Sequence, residues 1–296
     1  MSPGPTSDSQ TAEPASPPAA PSADPLAALA ELPGVPAAVA GVREAVDAIY
    51  GHRVMRRRSP EVSAEAALRG ARASAALAGA DWPLEEVRRR SDFGATDDAR
   101  TVGAALRLTA EAGESLSIWR SSPLRVLARL HLVAAAEPAP RATPDSVGRP
   151  RVAGEAVAEP ALAELPTAPE AEEVAARLEA LSRLVVAGSS APALVLAAIV
   201  QGELLALRPF VTHNGLVARA AARVVLVGGG LDPKAVTPAE LGHAEQGRDT
   251  YLDALGGYLA GTPAGVAGWI AHCARAVELG ARESTAVCEA LQRGAA

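Results

Sequence analysis

Leu207-Arg208-Pro209-Phe210-Val211-Thr212-His213-Asn214-Gly215-Leu216-Val217-Ala218-Arg219 is the stretch on which the reading of this chain turns. It joins two strongly apolar runs, 191–207 and 215–227, each of helical length. A chain with only two phenylalanines places one of them here. Pro209 interrupts the helical pattern, and Asn214–Gly215 opens the run that follows. Successive backbone N–H groups at such a helix start form a seat for an anion. The plainer reading of the same residues is a helix–helix connector shaped by Pro and Gly, with Phe210 plugging the core.

Outward from this stretch the chain reads as all-α. Ser or Thr precedes Pro at Ser59–Pro60, Ser122–Pro123, Thr237–Pro238 and Thr262–Pro263. A hydroxyl at N-cap accepts a free N–H, and Pro at the first helical position has none to lose. Thr237 with Glu240 has the spacing of a capping box. Gly113, Gly188 and Gly228 stand where helices should stop. These signals predict helices near 36–53, 60–79, 83–91, 97–112, 123–136, 170–187, 191–207, 215–227, 238–246, 248–260 and 263–292. No stretch reads as a strand. Alanine, at 69 of 296 residues, favours helix, and only eight aromatics are present to support strands.

Two segments lack this pattern. Residues 1–24 are rich in Pro, Ser and Ala with almost no large apolar side chain, which predicts a disordered tail. Residues 137–169 are Pro-rich and aperiodic, and a long loop of that kind tends to be functional or disordered. The remainder, 25–296, reads as a single domain: N-terminal helices over 25–136, the Pro-rich segment over 137–169, and a core bearing the central stretch over 170–296.

Composition excludes several classes. A net charge of −6 argues against a nucleic-acid binder. Arg56–Arg57–Arg58 and Arg88–Arg89–Arg90 read as solvated helix faces. Leu184 to Val200 is broken by Gly188, Ser189, Ser190 and Pro192, so it is no membrane span. Cys273 and Cys288 make neither a disulfide framework nor a zinc site, and with no secretory leader the expected compartment is the cytoplasm. No phosphate-binding P-loop and no H-E-x-x-H occurs. Gly228–Gly229–Gly230 follows a helix and reads as its stop. The five histidines are scattered, which reads as ordinary surface or core residues.

The central stretch resembles the signature of the Fic (Fido-domain) family, H-P-F-x-[D/E]-G-N-G-R-x-x-R, which here stands as R-P-F-V-T-H-N-G-L-V-A-R. Gly247-Arg248-Asp249-Thr250-Tyr251-Leu252-Asp253-Ala254-Leu255 and Trp269–Ile270 resemble helices that follow it. Ser74 to Gly79 resembles the family's inhibitory helix, [S/T]-x-x-x-E-[G/N], just ahead of Pro83-Leu84-Glu85-Glu86-Val87. The resemblance covers roughly 36–292. It implies the Fic helical fold; the short β-hairpin flap that the family often uses would fall within Arg141–Val157, where the Pro-rich composition leaves its formation open. It also implies AMPylation, the transfer of AMP from ATP with Mg²⁺ to a Ser, Thr or Tyr hydroxyl of a target protein.

The departures from the signature bear on that activity. The histidine that takes the hydroxyl proton is Arg208, which stays protonated and cannot act as a base. The acidic metal-binding position is Thr212. The first cradle glycine is His213, and the first arginine is Leu216. Asn214, Gly215, Arg219 and Arg208 remain as candidate anion- or nucleotide-binding residues. The inhibitory glutamate position is Ala78, between Ser74 and Gly79, so by this reading Arg219 lacks its usual partner. The expectation is an adenylyltransferase-like pseudoenzyme that binds a protein partner or a nucleotide-like anion, with no metal site. ATP and Mg²⁺ enter by resemblance alone, and the residues name no target. The alternatives are an active transferase with His213 as substitute base, or a helical scaffold without ligand.

Overall fold

In a computed structural model of the chain, residues 24–137 and 143–294 are described. The described residues form α1 (Pro25–Ala30), α2 (Val35–Gly51), α3 (Met55–Leu77), α4 (Leu84–Arg89), α5 (Asp97–Glu114), α6 (Leu116–Trp119), α7 (Pro123–Ala134), α8 (Ala171–Ala187), α9 (Ala193–Leu207), α10 (Asn214–Gly228), α11 (Ala239–Glu245), α12 (Arg248–Leu259) and α13 (Pro263–Gln292). Two single 3₁₀ turns, Pro144–Ser146 and Pro160–Leu162, lie between α7 and α8. Among the described residues there is no strand. The hairpin that the sequence left open within Arg141–Val157 is therefore not formed over 143–157, and Arg141 and Ala142 lie outside the described residues, as does the tail expected over 1–24 apart from Asp24. A pair of prolines and two glycines over 144–154 leave that stretch few extended, donor-bearing residues to pair.

The antiparallel pair α9 and α10 lies at the centre. Nearly every residue of both is buried, including the whole run from Asn214 to Leu226. Helices that are apolar all round belong in a core. Around the pair pack α5 and α7 on one side and α12 and α13 on another, while α2, α3 and α11 pack on α13 or its neighbours. Phe210 and Trp269 are fully enclosed, and Trp269 Nε1 donates to the Ala198 carbonyl of α9 at 2.7 Å. A second small core, including Ile49, Met55, Val236 and Cys288, joins α2, α3 and the end of α13. No helix among the described residues is long and apolar enough to cross a membrane.

The capping signals succeed unequally. Thr262 Oγ1 accepts the Gly265 N–H at 3.1 Å, as expected. Gly188 ends α8 with φ +74°, and Gly229 ends α10. Gly113 lies inside α5, one residue before its end. The break expected at Ser59–Pro60 is a kink inside α3, at Arg58 (φ −122°), because a proline ring cannot follow the preceding turn. The capping box of Thr237 and Glu240 does not form. Thr237 Oγ1 donates to Asp232 Oδ2 at 2.6 Å, and Glu240 is taken by a buried ion pair with Arg223, with bonds of 2.9 and 2.7 Å. Helix α1 was not foreseen; Asp24 Oδ1 caps it by accepting Leu26 N–H at 3.1 Å, and Asp24 Oδ2 also accepts Ser190 N–H at 2.8 Å.

Helix α11 reaches α13 through glycines. A Cβ on Gly242 would sit 2.0 Å from the Ala276 carbonyl oxygen, so only glycine permits this crossing. That crossing sets α11, and with it Glu240 and His243, against the centre of the fold.

Candidate functional site

The turn 208–213 joins the two central helices. Arg208 (φ 43°) closes α9, and His213 (φ 63°) precedes α10; both are left-handed. That conformation costs an L-residue about 1–2 kcal/mol. Asn214 opens α10 and fastens the turn. Its Oδ1 accepts Phe210 N–H at 2.8 Å, and its Nδ2 donates to the Phe210 carbonyl at 2.8 Å. Beneath it the His131 ring of α7 stacks on Phe210, centroids 4.0 Å apart.

The start of α10 already holds an anion, and the chain supplies it. Glu159 Oε2 accepts Asn214 N–H at 2.7 Å, and Glu159 Oε1 accepts Gly215 N–H at 2.8 Å. Asn214 Nδ2 adds a third bond at 3.0 Å. Positive partial charge at a helix N-terminus favours such a carboxylate. Segment 151–159 delivers it by running alongside the turn: Arg151 N–H donates to the Pro209 carbonyl, and Ala158 N–H to the Val211 carbonyl, both at 2.7 Å. Sequence reasoning did not single out Glu159. The only available signal was the unexplained Pro-rich segment that carries it.

The predicted site residues divide into two sets. Asn214, Gly215 and Arg219 come together. Arg219 passes beneath Gly215 and ends on α3, where its Nε donates to Ser74 Oγ and its Nη2 to the Ser74 carbonyl, each at 2.8 Å. Ala78 offers Arg219 no carboxylate in place of its usual partner, and Ser74, one turn earlier, supplies two acceptors instead. Ala78, Gly79, Thr212, His213 and Glu159 border a cleft of about 330 Å³, together with Asp97 and Asp98. Arg208 is turned away from the start of α10. Its Nη2 donates to the Pro166 carbonyl at 2.5 Å, and it lines a different cleft, of about 710 Å³, on the far side of segment 151–159. The positive lining expected from Arg208 and Arg219 together is therefore not assembled.

His213 is a poor base. Its Nδ1 lies 2.8 Å from Thr212 Oγ1, and burial, aided by the charge of Arg107, brings its pKa down to about 4. Thr212 is itself buried. The described residues contain no group of three His, Cys, Asp or Glu side chains able to hold a metal ion. A triphosphate at α10 would have to displace Glu159, and its metal would find a neutral hydroxyl at Thr212. The residues present do not fit ATP with Mg²⁺ in this arrangement.

No family model and no curated protein matches the sequence. Solved structures do match its fold. A Fic family protein from Desulfovibrio desulfuricans superposes with a TM-score of 0.68 at 21% identity, over 86% of this chain and 75% of that one. Fic-1 from C. elegans superposes with a TM-score of 0.59 at 16% identity, over 85% and 72%. The chain has the all-α Fic fold.

Proposed function

We propose that this Fic-fold chain does not transfer AMP and works by binding. The observation that carries this reading is Glu159, whose carboxylate fills the phosphate seat at the start of α10. One further feature supports it. In the family's motif the base would stand at the sequence position of Arg208, and a guanidinium has no lone pair to accept a proton. General-base catalysis is typically worth about 10²–10⁴-fold. The cleft around Thr212, Asp97 and Asp98 is then a surface for a protein partner, kept shaped but without transfer chemistry.

The test is incubation of the full chain with Mg²⁺ and ATP labelled at its α-phosphate, alone and with cell protein. Wild type labels nothing, and Glu159→Gln, which weakens the plug, also labels nothing because no base is gained. Label on the chain or on any protein overturns the reading. His213 lies in the same cleft and is the one group there that favours the alternative of a substitute base. Labelling that disappears in His213→Ala would establish that alternative.

A further inference from the structure

Arg208 is 5% exposed and Arg151 7% exposed, yet neither lies within ion-pair distance of a carboxylate among the described residues. Their bonds go to backbone carbonyls. Arg151 Nε donates to the Arg208 carbonyl at 3.0 Å, and its Nη2 to the Pro169 carbonyl. Arg208 makes one bond, to Pro166, and its buried Nε–H meets no acceptor. A guanidinium carries five N–H donors. Arg208 thus stands at the wall of the cleft with one acceptor, one buried donor unpaired and no counter-ion, and a cation drawn out of water without a counter-ion is costly. Burial, then repulsion from Arg151, pulls the Arg208 guanidinium below its usual range, and Glu159 offsets only part of this.

Both arginines line the cleft of about 710 Å³ on the far side of segment 151–159. The carboxylates along that cleft are mostly engaged. Glu155 is held by Arg149 through two bonds of 2.8 and 2.7 Å, and Glu159 by the start of α10. Glu170 is exposed and is felt by Arg151 without pairing to it. Val157, Leu162 and Leu165 supply an apolar wall.

We infer that this cleft binds a phosphate group, held by Arg208 and Arg151. Two fixed positive charges match a dianion, and planar guanidinium forks match its oxygens. A phosphate monoester carries close to two negative charges near neutrality. The apolar wall suits an ester that brings an organic group with it. This deepens the reading of the chain as a binding protein, and it stands or falls separately from that reading: label transfer from ATP would overturn the latter and leave the phosphate site untouched.

The experiment titrates the full chain calorimetrically with inorganic phosphate, phenyl phosphate and acetate at matched ionic strength. Both phosphates bind and acetate does not. Tighter binding of phenyl phosphate identifies an ester as the ligand, and equal binding identifies the free ion. Arg208→Gln, folded by circular dichroism, weakens phosphate at least about tenfold, as expected for loss of a charge-assisted pair. Glu170→Gln, a surface change that leaves the fold intact, tightens it about two- to fivefold by removing a nearby like charge. Phosphate binding no tighter than acetate, unchanged affinity in folded Arg208→Gln, or no tightening in Glu170→Gln overturns the inference.

Discussion

Replacing Glu159 with alanine strips the acceptors from two buried backbone N–H groups, those of Asn214 and Gly215, and one acceptor from Asn214 Nδ2. A buried donor left without a partner costs about 1–3 kcal/mol. Loss of a negative charge at a helix N-terminus adds about 0.3–1 kcal/mol. Against this, the adjoining cleft of about 330 Å³ admits water to the vacated seat, which returns part of the loss. The net expectation is about 3 kcal/mol, or a fall in Tm of about 5 °C for a domain of this size. Thermal unfolding followed by circular dichroism at neutral pH measures it. The decisive arm repeats the melt with sodium acetate against sodium chloride at matched ionic strength. Acetate enters the emptied seat, so it raises the Tm of Glu159→Ala and saturates, while leaving wild type unmoved. A variant within about 1 °C of wild type, or equal acetate effects on both proteins, would refute the assignment of Glu159 as the resident anion.

Acidification tests the buried histidines. Burial brings His131 down to about 3 and His272 to about 4, and it lowers His243 well below its ordinary value, with His272 and Arg219 adding to the effect. The unfolded chain takes up these protons near pH 6.5 while the folded chain does not, so stability present at about pH 7 is lost as pH falls. Each of these, and His213 with them, contributes about 1 kcal/mol between about pH 6.5 and 5.5, giving about 4 kcal/mol in all. Geometry explains the sign. With the Gln201 amide donating to His243 Nε2, His243 Nδ1–H donates to His272 Nε2 at 3.0 Å, and a proton on either acceptor breaks the relay. Urea unfolding at the two pH values reads the difference, and equal stabilities would contradict it. Separately, Glu240→Ala abandons Arg223, which is only 7% exposed, and should cost about 3–5 kcal/mol in the same assay; a loss below about 1 kcal/mol would show that Arg223 finds another partner.

The helical architecture was legible because its signals are local. Apolar periodicity and Pro-marked starts placed eleven helices to within a few residues; Ser122 precedes a real helix start although its side chain makes no cap bond, whereas Ser59 marks a kink within α3. Phe210 was legible as core because a chain so short of aromatics placed one of its two phenylalanines between two apolar helices, and Trp269 through the family resemblance alone. The site was legible only in part. Asn214 and Gly215 were found because an Asn–Gly helix start is a local anion motif. Glu159 was not, because its role depends on the path of an aperiodic segment across more than 50 intervening positions. For Arg219 the sequence showed the loss of the glutamate partner at Ala78 but not the replacement, the hydroxyl and carbonyl of Ser74 one turn earlier on the helix. The Thr237–Glu240 spacing misled for a related reason. A capping box is optional, whereas a buried Arg223 must be neutralised, and Glu240 can serve only one of them.

Glu159 competes for its seat as a tethered group. A group held by a short flexible linker experiences an effective concentration in the millimolar range, and stiffer tethers raise it. Here the tether is fixed beside the turn at Arg151 and Ala158, with Pro160 following directly. A free anion of equal intrinsic affinity would need to exceed that local concentration before it held the seat half the time. Ordinary metabolite levels do not decide the occupancy of α10; the peeling of segment 151–159 away from the 208–213 turn does.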